Sequence, residues 1–296
     1  MAWLTLTFRS DPRVAADLAD RLAEAGALAV TLQDGGDAPV LEPDPGEAPL
    51  WAETLVEGLF EAEEPTGLLA RLEAGLAGAG LPEPVVGHLE DREWVREGLA
   101  GLRPLRFGER LWVCPSWLEP PDPAAVNLRL DPGLAFGTGG HPSTALCLEW
   151  LASTPLEGAT IVDYGAGSGI LAVAALLLGA RSAWAVDHDP QALLATRANA
   201  ERNGVAARLR TCAPEDLPAV AADRVVANLV AGPLVALAPR LSNLVRPGGS
   251  ICLSGLLTEQ ADAVAWAYPP ALALRRDGER DGWCRLVGHR PPGESS

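Results

Sequence analysis

Between residues 160 and 171 the chain reads Thr160-Ile161-Val162-Asp163-Tyr164-Gly165-Ala166-Gly167-Ser168-Gly169-Ile170-Leu171. A short apolar run enters three alternate glycines and leaves as a stretch of Ala and Leu, the pattern of a strand, a tight turn and a helix. Glycine lets the backbone turn sharply and approach a ligand with no Cβ in the way, which singles out Gly165 and Gly167 as contact positions. The spacing is GxGxG, whereas dinucleotide binders use GxGxxG. A pyrophosphate needs an exposed helix N-terminus, so the turn suits a ligand without phosphate. Asp163, just before the turn, offers an acceptor for a ligand amino group. Ser182–Val186 reads as the next strand, and Asp187 ends it, 18 residues beyond Gly169. A carboxylate there accepts hydrogen bonds from both hydroxyls of a ribose. Strand, GxGxG, helix, strand and terminal Asp, in that order, point to a nucleoside that carries an amino acid. S-adenosylmethionine, which has no phosphate, is the ligand expected there, and the chemistry it implies is methyl transfer.

The elements that must hold these residues belong to an α/β fold. From Asn127 to about Arg290, apolar strand runs alternate with helical stretches, the signature of a parallel sheet. Pro190 opens a helix at its first turn, where proline is tolerated. Further strands are expected at Ala207–Thr211, Arg224–Leu229 and Ser250–Leu256, with Arg246-Pro247-Gly248-Gly249 as a turn before the last. The end of the chain is expected to be an antiparallel hairpin of Ala271–Leu274 and Trp283–Gly288, turning at Asp277-Gly278. Such a closing hairpin is typical of a Rossmann-like, seven-stranded class I methyltransferase fold, which this region resembles.

Ahead of it, residues 1–88 read as a small α+β unit. Trp3–Phe8 alternates like a strand, and Pro12–Ala25 carries Val14, Leu18, Leu22 and Ala25 at helical spacing. Ala27–Gln33 and Leu50–Phe60 follow as strands, Thr66–Gly78 as a helix and Pro84–Leu89 as a last strand. The order predicts a ferredoxin-like module. Residues 89–102, charged and punctuated by Trp94, are expected to form a linker helix. The methyltransferase domain then spans 103–290, opening with a strand pair over Arg106–Pro115, and 291–296 form a tail.

Composition narrows the partners. The 296 residues carry a net charge of −16, and residues 1–90 hold 17 acidic side chains against 4 arginines. That front segment repels phosphate backbones, so direct nucleic-acid binding is not expected, and a basic protein is the partner it would attract. All 23 basic residues are arginine; a lysine methyltransferase of this sequence can modify itself only at its N-terminus. No secretory signal and no apolar run long enough for a membrane helix are read. The five cysteines, Cys114, Cys147, Cys212, Cys252 and Cys284, include no CxxC pair, so no metal site is written. A monomeric cytoplasmic protein with mostly buried thiols is expected.

One further segment is distinctive: Asp131-Pro132-Gly133-Leu134-Ala135-Phe136-Gly137-Thr138-Gly139-Gly140-His141-Pro142-Ser143-Thr144, with Arg106-Phe107-Gly108 and Trp112-Val113-Cys114-Pro115-Ser116-Trp117 upstream. It resembles the ribosomal protein L11 methyltransferase family, whose pattern here is GTGxHxTT; Ser143 replaces the first of the two threonines, one hydroxyl for another. The likeness runs from about Asp91 to the C-terminal hairpin and is closest over 131–257. It implies that Thr144, Gly165, Asp187 and Asn228 bind S-adenosylmethionine, and that the Gly137–Gly140 loop with Thr138 walls the methionine end of the cofactor. It also moves His141 towards the site as a catalytic candidate. Asn228-Leu229-Val230-Ala231 lacks the Asn/Asp-Pro-Pro-aromatic run of other amino-group methyltransferases, yet Asn228 can still offer its carbonyl to the amine. Trp94 and Trp117 are read as packing aromatics. The resemblance further implies that the substrates are lysine ε-amino groups and the α-amino terminus of ribosomal protein L11, with the front domain recognising that protein. A methyltransferase of another protein or of a small amine would share the same cofactor site.

Overall fold

The structure, a computed structural model, describes residues 2–36, 50–61, 67–68, 83–90, 103–131 and 139–293. The chain divides into two units, Met1–Gly98 and Leu99–Ser296. The division falls in the stretch read as a linker, of which residues 91–102, including Trp94, lie outside the described residues.

In the first unit the alternation of Trp3–Phe8 becomes β1 (Ala2–Ser10), with Leu4, Leu6 and Phe8 fully buried. Helix α1 (Pro12–Glu24) begins where the Asp11 carboxylate accepts the backbone N–H of Arg13 at 2.9 Å, with Pro12 in the first turn. Its buried stripe is Ala15, Leu18 and Leu22; Val14, expected on that face, is 53% exposed. At 100° per residue Ala15 and Leu22 fall on the same side of Leu18, and Val14 falls on the other. Strands β2 (Ala29–Asp34), β3 (Thr54–Glu61) and β4 (Val85–Glu90) complete a sheet of order β2-β3-β1-β4. Every pairing in it is antiparallel, which is the ferredoxin-like arrangement. Of the helix expected over Thr66–Gly78, only Gly67 and Leu68 are described, and Leu68 is buried with Leu22 and Phe60 in the core.

The second unit opens with a hairpin, β5 (Leu105–Phe107) and β6 (Leu111–Cys114). To it β7 (Val126–Arg129) adds in parallel, giving a three-stranded sheet where the sequence marked only a pair. The Asn203 amide secures β7, accepting from Arg129 N at 2.7 Å and donating to Arg129 O at 2.8 Å.

The main sheet comprises β8 (Thr160–Tyr164), β9 (Ser182–Val186), β10 (Leu209–Cys212), β11 (Ala222–Asn228), β12 (Val245–Leu257), β13 (Arg275–Arg280) and β14 (Trp283–His289). Their order is β10-β9-β8-β11-β12-β14-β13, parallel as far as β12 and antiparallel across the closing hairpin. On one face pack α2 (Pro142–Ser153), α3 (Ile170–Leu177) and α4 (Pro190–Arg202). On the other lie α5 (Ala231–Ala236), α6 (Ala238–Leu244) and α7 (Ala261–Ala267). This is the Rossmann-like methyltransferase architecture. Among the described residues no helix is long and apolar enough to cross a membrane.

Several boundaries move. Arg246–Gly249 belongs to β12 instead of forming a separate turn, and β10 starts only after a 3₁₀ turn at Ala206–Arg208. Residues 271–274 are not a strand: Pro270–Leu272 form a 3₁₀ turn and Ala273 is left-handed, at φ 47°. The closing hairpin turns at Asp281-Gly282, both with positive φ, and Asp277-Gly278 lies inside β13. Arg285 decides between the two. Its guanidinium donates to Asp277 Oδ2 at 2.9 Å and to the Leu146 carbonyl at 2.6 Å, drawing Asp277 into the strand at a register shift beside Gly278.

Candidate cofactor cleft and active site

The strand order reverses between β8 and β11, and ligands of open α/β sheets bind at the carboxyl ends of strands at such a point. There the second unit has a cavity of about 210 Å³. Its polar lining is Thr144, Asp187, His188 and Asn228; its backbone wall is Gly165 to Gly167; Ile170, Leu171 and Leu229 supply the apolar surface.

The glycine turn is tied to the next strand by Gly165 N and Ala166 N, which donate to Val186 O at 2.7 and 3.0 Å. Gly165 has φ +77°, and a Cβ there would run into the side chain of Leu229, so only glycine fits. Asp187, 8% exposed, accepts Gly167 N–H on Oδ2 at 2.9 Å and Asp189 N–H on Oδ1 at 3.0 Å. A carboxylate has about four acceptor positions, so each oxygen keeps capacity for a ligand hydroxyl. Asp163 lies deeper than its sequence position suggests. It has no exposure and does not line the cavity; Oδ2 accepts Ala172 N–H at 2.9 Å and Oδ1 has no hydrogen-bond partner among the described residues. Burial pushes its pKa up to about 7, against the pull of the Ala172 N–H and with help from the negative charge of Asp187.

Across the cleft, Asn228 ends β11 and its Nδ2 donates to Thr144 Oγ1 of α2 at 3.0 Å. That bond orients the amide and leaves Oδ1 as an acceptor. Gly255 makes the room: at φ +88°, in an irregular stretch of β12, a Cβ would stand 2.5 Å from Leu229 O and 2.9 Å from Asn228 Oδ1. Thus Thr144, Gly165, Gly167, Asp187 and Asn228 meet at one cleft. His141 does not line it; this residue caps α2, as its Nδ1 accepts Ser143 N–H at 3.3 Å. Thr138 lies outside the described residues, and Trp117, expected to pack, is 45% exposed on the turn after β6.

Two supporting residues carried no signal in the sequence. Thr196 Oγ1 donates to Gly167 O at 3.0 Å and Asn199 Nδ2 to Ser168 O at 2.8 Å, so α4 holds the turn from behind. Both are single contacts across 29 and 31 positions, and only Pro190 at its first turn marked the helix that delivers them. The lining charge is informative as well. Asp187 is present, and among the described residues His188 is the sole lining side chain able to become cationic. Such a cleft favours a cationic ligand over a phosphate.

Comparison with known proteins bears on the same residues. The family model for ribosomal protein L11 methyltransferase (PrmA) matches residues 2–291. A protein named ribosomal protein L11 methyltransferase from Azotobacter vinelandii is 53% identical over 292 residues, covering 98% of this chain and all of that one. Its namesake from Pseudomonas aeruginosa is 52% identical, covering 98% and 99%. The crystal structure of a ribosomal protein L11 methylase from Lactobacillus delbrueckii subsp. bulgaricus superposes with a TM-score of 0.57 at 30% identity, covering 64% of this chain and all of that one. With a full-length family match and relatives above half identity, the chain belongs to the ribosomal protein L11 methyltransferase family.

Proposed function

We propose that this chain transfers methyl groups from S-adenosylmethionine to amino groups of ribosomal protein L11, its lysine ε-amino groups and N-terminal α-amino group among them. The observation that carries the reading is the convergence of Asp187 and Asn228, from two strand ends, on one anionic cleft within a chain of this family.

The donor set fits the cofactor. The glycine wall admits a ligand against bare backbone, Asp187 retains acceptor capacity for ribose hydroxyls, and the surrounding charge suits a sulfonium and an α-ammonium. When bound, S-adenosylmethionine supplies a methyl group already activated by its sulfonium. The chain has to align the amine and receive it in neutral form. A lysine amine with a pKa of about 10.4 is charged at neutral pH, and burial lowers that value. Asn228 Oδ1 accepts an N–H of the neutral amine and aims its lone pair at the methyl carbon. An amide is well suited to this role, because a carboxylate would stabilise the ammonium form. No general base is required of the protein, since water can take the released proton.

Residues 1–88 act as the substrate-recognition domain, joined by 89–102 to the catalytic domain 103–290, and their acidic balance complements a basic ribosomal protein. The site of action is the cytoplasm, where ribosomal proteins are made. Mass spectrometry of L11 incubated with the enzyme and S-adenosylmethionine tests the reading. Gains of 14 Da per methyl group, about the mass of one CH₂, are expected on amines; unmodified L11 beside another methylated protein or small amine would overturn the substrate assignment.

A further inference from the structure

Helix α2 begins in an unusual way. Its N-cap is His141, in extended conformation (φ −70°, ψ 137°), followed by Pro142 at the first helical position. Ala145 N donates to His141 O at 3.0 Å, closing the first turn. The His141 ring then does what an Asn or Ser side chain does at most N-caps: Nδ1 accepts the backbone N–H of Ser143 at 3.3 Å and also faces Ser143 Oγ at 2.8 Å. A backbone N–H can only donate, so Nδ1 carries no proton; the Ser143 hydroxyl donates too, and the neutral imidazole bears its hydrogen on Nε2. Trp283, at the start of β14, holds the ring edge-on, with centroids 4.7 Å apart and planes at 71°. Burial lowers the His141 pKa in the same sense, and a cation would be unfavourable at a helix N-terminus.

Three residues into the helix, Thr144 is 1% exposed and its Oγ1 receives the Asn228 amide at 3.0 Å. The start of α2 therefore sets where Thr144 stands, and Thr144 sets which way the Asn228 carbonyl points. We infer that His141 is a positioning residue for methyl transfer: as the side-chain cap of α2 it fixes Thr144 and, through it, the carbonyl oxygen of Asn228 that receives the amine, and it exchanges no proton with the substrate. The inference rests on the role proposed above for Asn228.

The test compares wild type with H141N and H141A. Asn is among the best N-cap residues, but its amide neither titrates nor relays protons near neutral pH. Two quantities are read: the side-chain ¹H–¹⁵N resonances of the Asn228 amide, which need no substrate, and kcat and KM for methylation of L11. H141A is expected to move the Asn228 resonances and to lower kcat roughly tenfold or more, as misplacement by about 1 Å does, with KM for S-adenosylmethionine changed less than about threefold. H141N is expected to return the resonances to their wild-type positions and kcat to within about threefold. Turnover lost equally in H141N and H141A, with the Asn228 resonances unmoved, would overturn the inference in favour of proton transfer by His141. Wild-type behaviour of H141A in both measurements would overturn it too. If H141A does not fold, H141S replaces it as a second capped variant, and loss of turnover in both capped variants with unmoved resonances is again the refuting result. A wild-type enzyme that leaves L11 unmethylated refutes the functional proposal, while the resonance comparison still decides whether His141 orients Asn228.

Discussion

Asp163 is a carboxyl group held where an ion is costly, and removing its charge should change the pH dependence of stability. Burial raises its pKa to about 7, from the 3.8 of an ordinary aspartate. A carboxyl with a raised folded pKa binds its proton more tightly folded than unfolded. It therefore favours the folded state below the unfolded pKa, and that contribution is lost as pH rises through the folded one. At about 1.4 kcal/mol per unit the full effect is about 4 kcal/mol, and the part lying between pH 5 and 8 is about 3 kcal/mol. Asp163→Asn keeps an acceptor for the Ala172 N–H and never ionises. It places an amide N–H₂ where the unpartnered oxygen stood, a roughly pH-independent cost of about 1–3 kcal/mol. Urea unfolding of both proteins at pH 5, 6.5 and 8 reads the difference directly. The stability of Asp163→Asn minus that of wild type should rise by about 3 kcal/mol from pH 5 to pH 8. A difference that stays constant across that range would show that Asp163 has no raised pKa there, and the burial argument would fail.

Asp187→Ala should weaken S-adenosylmethionine binding by about 1–3 kcal/mol, because it removes the proposed ribose acceptor and the partner of Gly167 N–H; unchanged affinity by calorimetry would take Asp187 out of the cofactor site. Gly255→Ala forces a Cβ towards Leu229 O and Asn228 Oδ1, at a cost of about 1–3 kcal/mol in strain. Its kcat should fall more than its cofactor affinity, and wild-type kinetics would show that Asn228 tolerates displacement. The rate of association with L11 should drop as salt rises past about 0.1 M, where surface charges are screened within about 10 Å; a salt-independent rate in stopped-flow mixing would leave the acidity of the front segment as a matter of solubility. A chain beginning near Glu90 should bind S-adenosylmethionine normally yet methylate L11 poorly, and full methylation by it would remove the recognition role from residues 1–88.

The cleft was readable where its chemistry is local. Gly165, Gly167 and Asp187 sit in a strand-turn-helix-strand succession that the backbone can form in few other ways, and Asp187 stands at the end of an apolar run. Asp163 shows the limit: its place in the order is right, but its depth is a property of α3 folding over it, which no neighbouring residue encodes. Thr196 and Asn199 escaped notice because a polar residue on a helix reads as a solvated face until the turn it supports is in place. The phase of α1 was off by one position at Val14 because four apolar residues at mixed three- and four-residue spacing leave the edge of the stripe open. In the closing hairpin, two Asp-Gly dipeptides four positions apart offered equal turn chemistry. Resolving them required Arg285 and a carbonyl 139 residues away.

That last feature bears on the order of folding events. A hairpin seeded at either Asp-Gly can form within microseconds, so the chain end starts with two registers in competition. What separates them is the docking of a guanidinium on the Leu146 carbonyl of α2, a contact of high sequence separation whose loop-closure entropy is met only once most of the second unit has assembled. The topology thus predicts that the final two strands commit late. The helix that arbitrates their register is the one that carries Thr144, and the strand it selects is the one that presents Trp283 to His141. Completion of the sheet therefore also completes the setting of His141, because the strand that closes it carries Trp283 against that ring.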